Sequence, residues 1–507
     1  MHISTQWQNW WLPNCIKKPR ADLHKRAGVG HESCTYHFTH DGVDERWLLS
    51  HDHAPSAPST EKLLNVVHQV VVNARVVKAI AANRNDIYRP EVMQTIEDEI
   101  DMLGPRLVDL SMQIHEKAEL KFHENFAHDT LSDFMAAQGF KVTKNYKSDV
   151  PSATETPKFM KTAWRAAFTH IPKQLGASAV RTLGVNSEMD ALPIPKGQVT
   201  HACGHNLIAI GGVAVALAVK KALQQHDVAG SVVLLGTPAE EGGHGKVRLL
   251  DADGYKGIDA CVMCHPGSGP QHSVVTGSSL AIQAIRVEFT GKPAHAALQP
   301  WEGVNAQDAV MLSYSAISML RQQIRPDLRV HGVVQYDKEP LPANVIPADM
   351  AMVWNIRAPT KADLEGLRAR VVKCFEGAAI ATGCTANIVC KPPVLNLNQN
   401  SVLAKEFAHI ATVRCGMTAA EADENGAFST DFGNVSYALP ALHPGYAVPT
   451  VPNGGNHTAE FAAAAGTPEA HAETLKVAKA LSLLGFRVLD DDGFFKDVKD
   501  QFTATAK

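Results

Sequence analysis

No uninterrupted apolar run in this chain reaches the length of a membrane span. The longest, LIAIGGVAVALAV from Leu207 to Val219, has 13 residues, against the 18 or more that a spanning helix needs. It reads as a buried helix. Met1 to Lys18 holds Trp7, Trp10 and Trp11 but no apolar core of signal length. A cysteine framework is missing as well. The nine cysteines are odd in number, and Cys15, Cys34, Cys374, Cys384, Cys390 and Cys415 have no metal-type spacing. That usage fits a reducing compartment, so a cytoplasmic protein is expected. Cys261-Val-Met-Cys264 has zinc-knuckle spacing but no second pair, and it reads as the end of a buried strand. Nor is there an excess of positive charge. The 48 Lys and Arg against 52 Asp and Glu leave a net charge of −4, which speaks against nucleic acid as a partner.

What is present is organised in blocks. A chain of 507 residues is too long for one ordinary core, so two domains are expected. Residues 1–60 are rich in His, Pro and Ser without a stable period, which predicts a poorly ordered extension. Helical periodicity follows over 61–81, about 89–117 and about 125–138, the last stopped by Gly139. Strand-like segments near 163–168, 180–188 and 230–236 alternate with helical ones, which predicts an α/β domain with several parallel strands. The texture changes near Ser279. Strand patterns at 281–289, 330–336, 351–356 and 386–389 enclose helical ones at 304–322 and 362–382. That order is the order of a ferredoxin-like α+β insert.

Four clusters could carry chemistry. His201-Ala-Cys-Gly-His205 places a thiol and an imidazole two residues apart at the start of the apolar helix. A helix N-terminus favours the thiolate, and zinc accepts S, N and O donors. The same residues could serve as a cysteine nucleophile with its base, or simply pack. Glu240 and Glu241 follow the strand SVVLLG in a loop with Pro and Gly. Paired acids there could be a solvated loop, or one could bind metal while the other moves a proton. His265 closes the apolar segment DACVMCH, and His457 lies in a Gly-rich loop. Together these give five donors, which suit two metals, because a closed structural zinc needs only four.

In this order the motifs SEMDALP, HACGHN, GTPAEEGG, the HP of CHPG, GKPAHAALQPWEGVNA, NVIP, STDFGNVSYALPALHP and NHTAEF resemble the dinuclear metallopeptidase family of aminoacylases, carboxypeptidases and hippurate or auxin-conjugate amidohydrolases (peptidase family twenty). The likeness is strongest to its β-alanyl-lysine dipeptidase type and covers about residues 95–490. It implies a three-layer α/β/α catalytic domain over 61–278 and 396–490. It implies a lid at 279–395 that often forms a homodimer contact, leaving 491–507 as a C-terminal tail. It implies Cys203, His205, Glu241, His265 and His457 as ligands of two divalent ions, zinc first and manganese or cobalt as alternatives. It implies Glu240 as the base that deprotonates a metal-bridging water and later donates the proton. By the same resemblance Asp190 is expected to support the ligands from behind, His295 in the lid to stabilise the oxyanion, and Asn344 and Arg357 to hold substrate. The substrate class implied is a small dipeptide or N-acyl amino acid.

The longer loop Pro195–Thr200 before HACGH and His244 after the Glu pair depart from the family pattern and leave the substrate open. Three other readings stand beside the hydrolase. One is a pathway enzyme that trims or forms an amide on a specialised metabolite. Another is a catalytically silent metal-binding regulator. The third is a thiol hydrolase using Cys203 and His205.

Overall fold

Apolar periodicity becomes a helix where a partner surface covers one stripe. The helix Pro90–Glu116 turns Val92, Met93, Ile96, Ile100, Leu103, Leu107, Leu110 and Ile114 inward. These residues recur at the three-to-four spacing of one helical face. A computed structural model describes residues 86–149, 160–173, 180–195, 197–336, 342–420 and 428–505. The extension expected at 1–60 and the helix expected at 61–81 lie outside the described residues.

The apolar run Leu207–Val219 belongs to the longer helix His205–Gln225. Its 21 residues are long and apolar enough to cross a membrane by length and composition alone, but the apolar window is 89% buried inside the protein. It packs against Pro90–Glu116, Pro468–Asp490 and the strand Thr182–Glu188. Burial on all sides from Leu207 to Val219 explains why that stretch carries no polar face.

A six-stranded sheet runs in the order Lys141–Thr143, Trp164–His170, Gly230–Thr237, Thr182–Glu188, Ala260–Val262, Ala441–Leu442. Thr182–Glu188 is parallel to both of its neighbours, and Ala441–Leu442 is parallel to Ala260–Val262. The two strands at the other edge join antiparallel. Gly230–Thr237 is buried along its whole length. Val232 and Leu234 enter one apolar cluster, while Val233 and Leu235 enter another. The sheet is therefore covered on both faces, as a mostly parallel sheet requires, and the result is a mixed α/β fold.

A second body has its own apolar cluster. Its strands lie in the order Arg329–Gln335, Asp349–Ala358, Ala281–Thr290, Thr385–Cys390, all antiparallel. The helices Ala306–Leu320 and Lys361–Thr382 pack on this sheet. The first helix begins at Ala306 because the Asn305 side chain accepts the N–H of Gln307.

One expectation is corrected. The stretch 491–507, expected as a tail, holds the helix Asp492–Thr505 with Phe494 and Val498 buried. Asp491 Oδ1 accepts the N–H of Phe494 at 2.9 Å, and the helix packs on Ser401–Val413 and Pro468–Asp490. Two buried positions in a charged segment are too sparse a pattern to announce a docked helix. The longer loop before His201 closes as a small ladder, Leu192–Pro193 against Val199–Thr200. Lys196 within it lies outside the described residues.

Candidate metal centre

The parallel strands deliver the candidate residues to one edge of the sheet. Thr182–Glu188 runs on to Asp190, Gly230–Thr237 to Glu240 and Glu241, Ala260–Val262 to His265, and Ala441–Leu442 to His443. The carboxyl ends of such strands are where an open α/β sheet leaves a crevice. Cys203 sits in the turn before the helix His205–Gln225. Between them Gly204 has φ 80°, and a Cβ there would lie 2.6 Å from Pro266 Cγ. Glycine thus lets this turn close on the loop that carries His265. Ala239, His244 and His457 hold positive φ values of 59°, 55° and 70°. Each such backbone costs roughly 1–3 kcal/mol and persists only where its surroundings enforce it.

The side chains converge. Cys203 Sγ lies 3.5 Å from His265 Nε2, and His457 Nε2 lies 3.2 Å from Glu241 Oε1. Donor atoms of Cys203, His205 and His265 lie within 4.8 Å of one another, as do those of Cys203, Glu241 and His457 and those of His205, Glu240 and Glu241. The imidazoles are oriented from behind. His205 Nδ1 meets Asp190 Oδ1 at 3.1 Å, and His265 Nδ1 meets the Pro266 carbonyl at 2.7 Å. With Nδ1 donating, each ring turns Nε2 inward. Asp190 Oδ2 also accepts the Glu241 N–H at 2.9 Å, so one buried carboxylate fixes a ring and the neighbouring backbone together. Asn456 Nδ2 reaches the Pro266 carbonyl at 3.1 Å and the Cys203 carbonyl at 3.4 Å.

Electrostatics follow from this crowding. Burial would push the Cys203 thiol up, but His265, His205 and His457 beside it hold it down to about 5. Burial opposes charge on His205, yet Glu188, Asp190 and Cys203 hold it well above the ordinary imidazole value. His457 is drawn up to about 10 by Cys203 and Glu241. Glu240 goes the other way: burial, then the charges of Glu188, Glu241 and Asp431, push it well above the usual carboxylate range. A carboxyl so placed is suited to carrying a proton.

The residues fit a pair of divalent ions. Among the described residues, His205 Nε2 and Glu188 Oε2 are buried without a hydrogen-bond partner, although buried polar atoms are normally paired. Thiolate, imidazole and carboxylate together form a donor set for zinc-like ions. Cys203 and His205 each belong to two of the converging groups, so the groups overlap. The protons that His205, His265 and His457 would hold against Cys203 and the acids stand where cations would replace them.

Not every expected residue joins this cluster. His295 is exposed on the second body, bridged backbone to backbone with Val345. Its Nδ1 accepts the N–H groups of Ala297 at 3.2 Å and Leu298 at 3.1 Å, which leaves Nε2–H free to donate. Asn344 is exposed beside it, with its carbonyl accepting the Ala296 N–H at 2.9 Å. Arg357 is half-buried on Asp349–Ala358 and donates to Ser429 Oγ at 3.1 Å. Burial lowers its pKa. Among the described residues, no hydrogen bond or ion pair joins these three to Cys203, His205, Glu241, His265 or His457.

Sequence reasoning missed a buried ionic group behind the centre. Lys246 Nζ donates to Glu188 Oε1 and Asp431 Oδ1, each at 2.6 Å, and its N–H donates to Asp431 Oδ2 at 2.8 Å. Glu188 stands two positions before Asp190, a spacing that shares a side in extended chain and could have signalled it. Lys246 gave no signal, since a helical lysine is ordinarily a surface residue. His443, stacked on His265 at 5.8 Å between centroids, was also missed.

Residues 184–477 match the peptidase family M20/M25/M40. The chain is similar to the Xaa-Arg dipeptidase of Mus musculus, at 35% identity over 80% of this chain and 90% of that protein. It is also similar to a p-aminobenzoyl-glutamate hydrolase polypeptide of Escherichia coli, at 26% identity over 81% of this chain and 95% of that one. Among solved structures, the YXEP protein of Bacillus subtilis, a dinuclear metal binding peptidase, aligns with a TM-score of 0.55 at 18% identity, covering 77% of this chain and 99% of that one. The aminobenzoyl-glutamate utilization protein of Klebsiella pneumoniae aligns with a TM-score of 0.57 at 17% identity, covering 78% and 99%. At such identities the structural likeness speaks for the fold alone.

Proposed function

This chain belongs to the peptidase family M20/M25/M40, and on that premise we propose that it hydrolyses the amide bond of a small dipeptide or N-acyl amino acid at the centre around Cys203. It is a metal-dependent hydrolase of amide bonds, as the family and the named relatives have it. In this reading Cys203, His205, Glu241, His265 and His457 hold two divalent ions. The mixed sulfur, nitrogen and oxygen donors favour zinc, with manganese or cobalt as alternatives.

Bound ions would supply Lewis acidity to the amide carbonyl and make water acidic enough to attack at neutral pH. Glu240 takes the proton of the attacking water on a carboxylate oxygen and returns it to the leaving amine nitrogen. The observation that carries this role is the position of the Glu240 carboxyl, with an oxygen within 4.8 Å of donor atoms on His205 and Glu241; burial beside Glu188, Glu241 and Asp431 raises its affinity for a proton. Asp190 keeps His205 in its Nδ1–H tautomer. His295 donates Nε2–H to the carbonyl oxygen as charge develops there. Arg357, which has no acid partner among the described residues, receives the substrate carboxylate, and Asn344 holds the substrate backbone.

The three-layer α/β/α domain would comprise 61–278 and 396–490, and the ferredoxin-like body 279–395 would act as the lid. A homodimer through that lid is supported by exposed Met311, Leu312, Tyr314 and Met319 on its first helix and by Val333 and Val334 on an edge strand. A cytoplasmic setting is supported by the free thiols among the described residues.

The test is hydrolysis of a panel of dipeptides and N-acyl amino acids before and after chelation. We expect activity to vanish with chelator and to return with zinc or manganese, and Glu240→Ala to keep its metal without turnover. Hydrolysis that survives chelation would point instead to Cys203 as a nucleophile.

A further inference from the structure

Two unpaired atoms face each other across the centre. Among the described residues, neither Glu188 Oε2 nor His205 Nε2 has a hydrogen-bond partner; both are buried, and they lie 3.4 Å apart. Their other atoms are fully engaged: His205 Nδ1 by Asp190 and Glu188 Oε1 by Lys246. At roughly 2.0–2.1 Å from a tetrahedral ion, two N or O donors stand about 3.3 Å from each other. The Glu188–His205 separation matches that chord. So do the Glu241–His457 separation of 3.2 Å and, with the longer metal–sulfur bond, the Cys203–His265 separation of 3.5 Å. A carboxylate buried at the end of a strand, with one oxygen left bare against a bare imidazole nitrogen, is costly unless a proton on the ring or a metal ion lies between them.

We propose that Glu188 is a further metal donor of this centre, sharing an ion with His205, and that Lys246 is the positioning residue that presents it. This inference rests on the two-ion reading of the preceding subsection and adds a donor to it. Metal-binding carboxylates are commonly held by hydrogen bonds on the oxygen turned away from the ion. Lys246 supplies that bond. Its ammonium is wholly buried, and Asp431 balances its charge with two contacts, one to Nζ and one to the backbone N–H. The relay Asp431–Lys246–Glu188 thus does for a carboxylate what Asp190 does for His205. It also leaves Glu240 as the acid of the group Glu188, Glu240 and Asp431 that Lys246 does not engage by a hydrogen bond, free to move a proton.

The experiment measures metal rather than turnover. Glu188→Gln preserves size and still offers an oxygen to Lys246, but replaces the bare oxygen with an amide nitrogen. Zinc content after dialysis and zinc affinity by chelator competition are compared for wild type, Glu188→Gln, Lys246→Met and Cys203→Ser. The visible spectrum of each cobalt-substituted protein is recorded alongside. We expect Glu188→Gln to weaken zinc binding by about 10-fold or more at one of the two ions and to shift the cobalt bands, and Lys246→Met to do so less. If Lys246→Met fails to fold, Glu188→Gln decides alone. Unchanged zinc affinity and an unchanged cobalt spectrum in folded Glu188→Gln would overturn the inference. If wild type itself bound no zinc, or Cys203→Ser bound as wild type does, the two-ion reading would fail and not merely this extension of it.

Discussion

The centre at the sheet edge and the three residues on the antiparallel body treat polar groups in opposite ways. At the sheet edge Asp190, Glu188, His205 and Lys246 are completely buried, and nearly every polar atom is bound to another. Of the side-chain polar atoms of these four, Glu188 Oε2 and His205 Nε2 are left bare among the described residues, 3.4 Å apart. On the antiparallel body His295 and Asn344 are exposed, and Arg357 is half-buried with a hydroxyl for company. Buried polar atoms must be satisfied within the protein or by a resident ion. Exposed ones have water and can exchange it for a substrate. The contrast teaches that a resident cofactor is legible in unsatisfied interior atoms, whereas a substrate contact is legible only as an available donor.

Substitutions in the two regions can break or sharpen that contrast. The largest effect is expected at Glu240. Glu240→Gln should lower kcat by about 10²–10⁴-fold, as loss of an acid–base group does, with the bound metal unchanged by elemental analysis. A variant turning over at the wild-type rate would remove Glu240 from the chemistry. Next comes His295→Gln, for which a fall in kcat of about 10²–10³-fold is expected, as for an oxyanion donor. If steady-state kinetics showed no change, His295 would bear no part of the reaction and the antiparallel body would be left with substrate binding alone.

A third effect concerns stability. Burial, then the charge of Asp190, raises Glu124 to about 7. Its oxygens accept the Thr162 hydroxyl at 2.7 Å and the Ala239 N–H at 2.8 Å, directly before Glu240. The folded protein therefore keeps a proton that the unfolded chain loses near the ordinary carboxyl value of 4.5. Stability from this group falls as pH rises between those values and levels off above about 7, by a total on the order of 3 kcal/mol. Urea midpoints of wild type and Glu124→Gln from about pH 4 to pH 8 test this. The variant should lose the decline, and parallel profiles would refute the assignment. The smallest effect is expected at Arg357. Arg357→Met should raise KM by about 10–100-fold with kcat little changed, as for loss of one charged hydrogen bond to substrate. A matching fall in kcat would instead tie Arg357 to the transition state.

Much of the fold was legible because local pattern and tertiary role agree. Helices near 89–117 and 125–138 fall at Pro90–Glu116 and Asn125–Ala137, where one apolar stripe is both the signal and the buried face. The docked helix Asp492–Thr505 was not legible, because Phe494 and Val498 alone face the core. At the centre, Cys203, His205, Glu241, His265 and His457 could be named from motifs, and the structure brings their donor atoms together in overlapping groups. Lys246 and Asp431 could not, because 185 positions separate them in the chain and neither has a spacing that announces the other.

The sequence by itself determined the chemical types at the ends of the apolar strands: a thiol, imidazoles and paired acids, each following a segment that must be buried. Chain order and apolar patterning carry that information because they are local. Only the tertiary structure decided which atoms of those side chains are spent and which are left. Asp190 occupies one nitrogen of His205 and Lys246 one oxygen of Glu188, and the bare atoms that remain face each other at 3.4 Å. Such pairing depends on distances between segments far apart in the chain, and no periodicity encodes it.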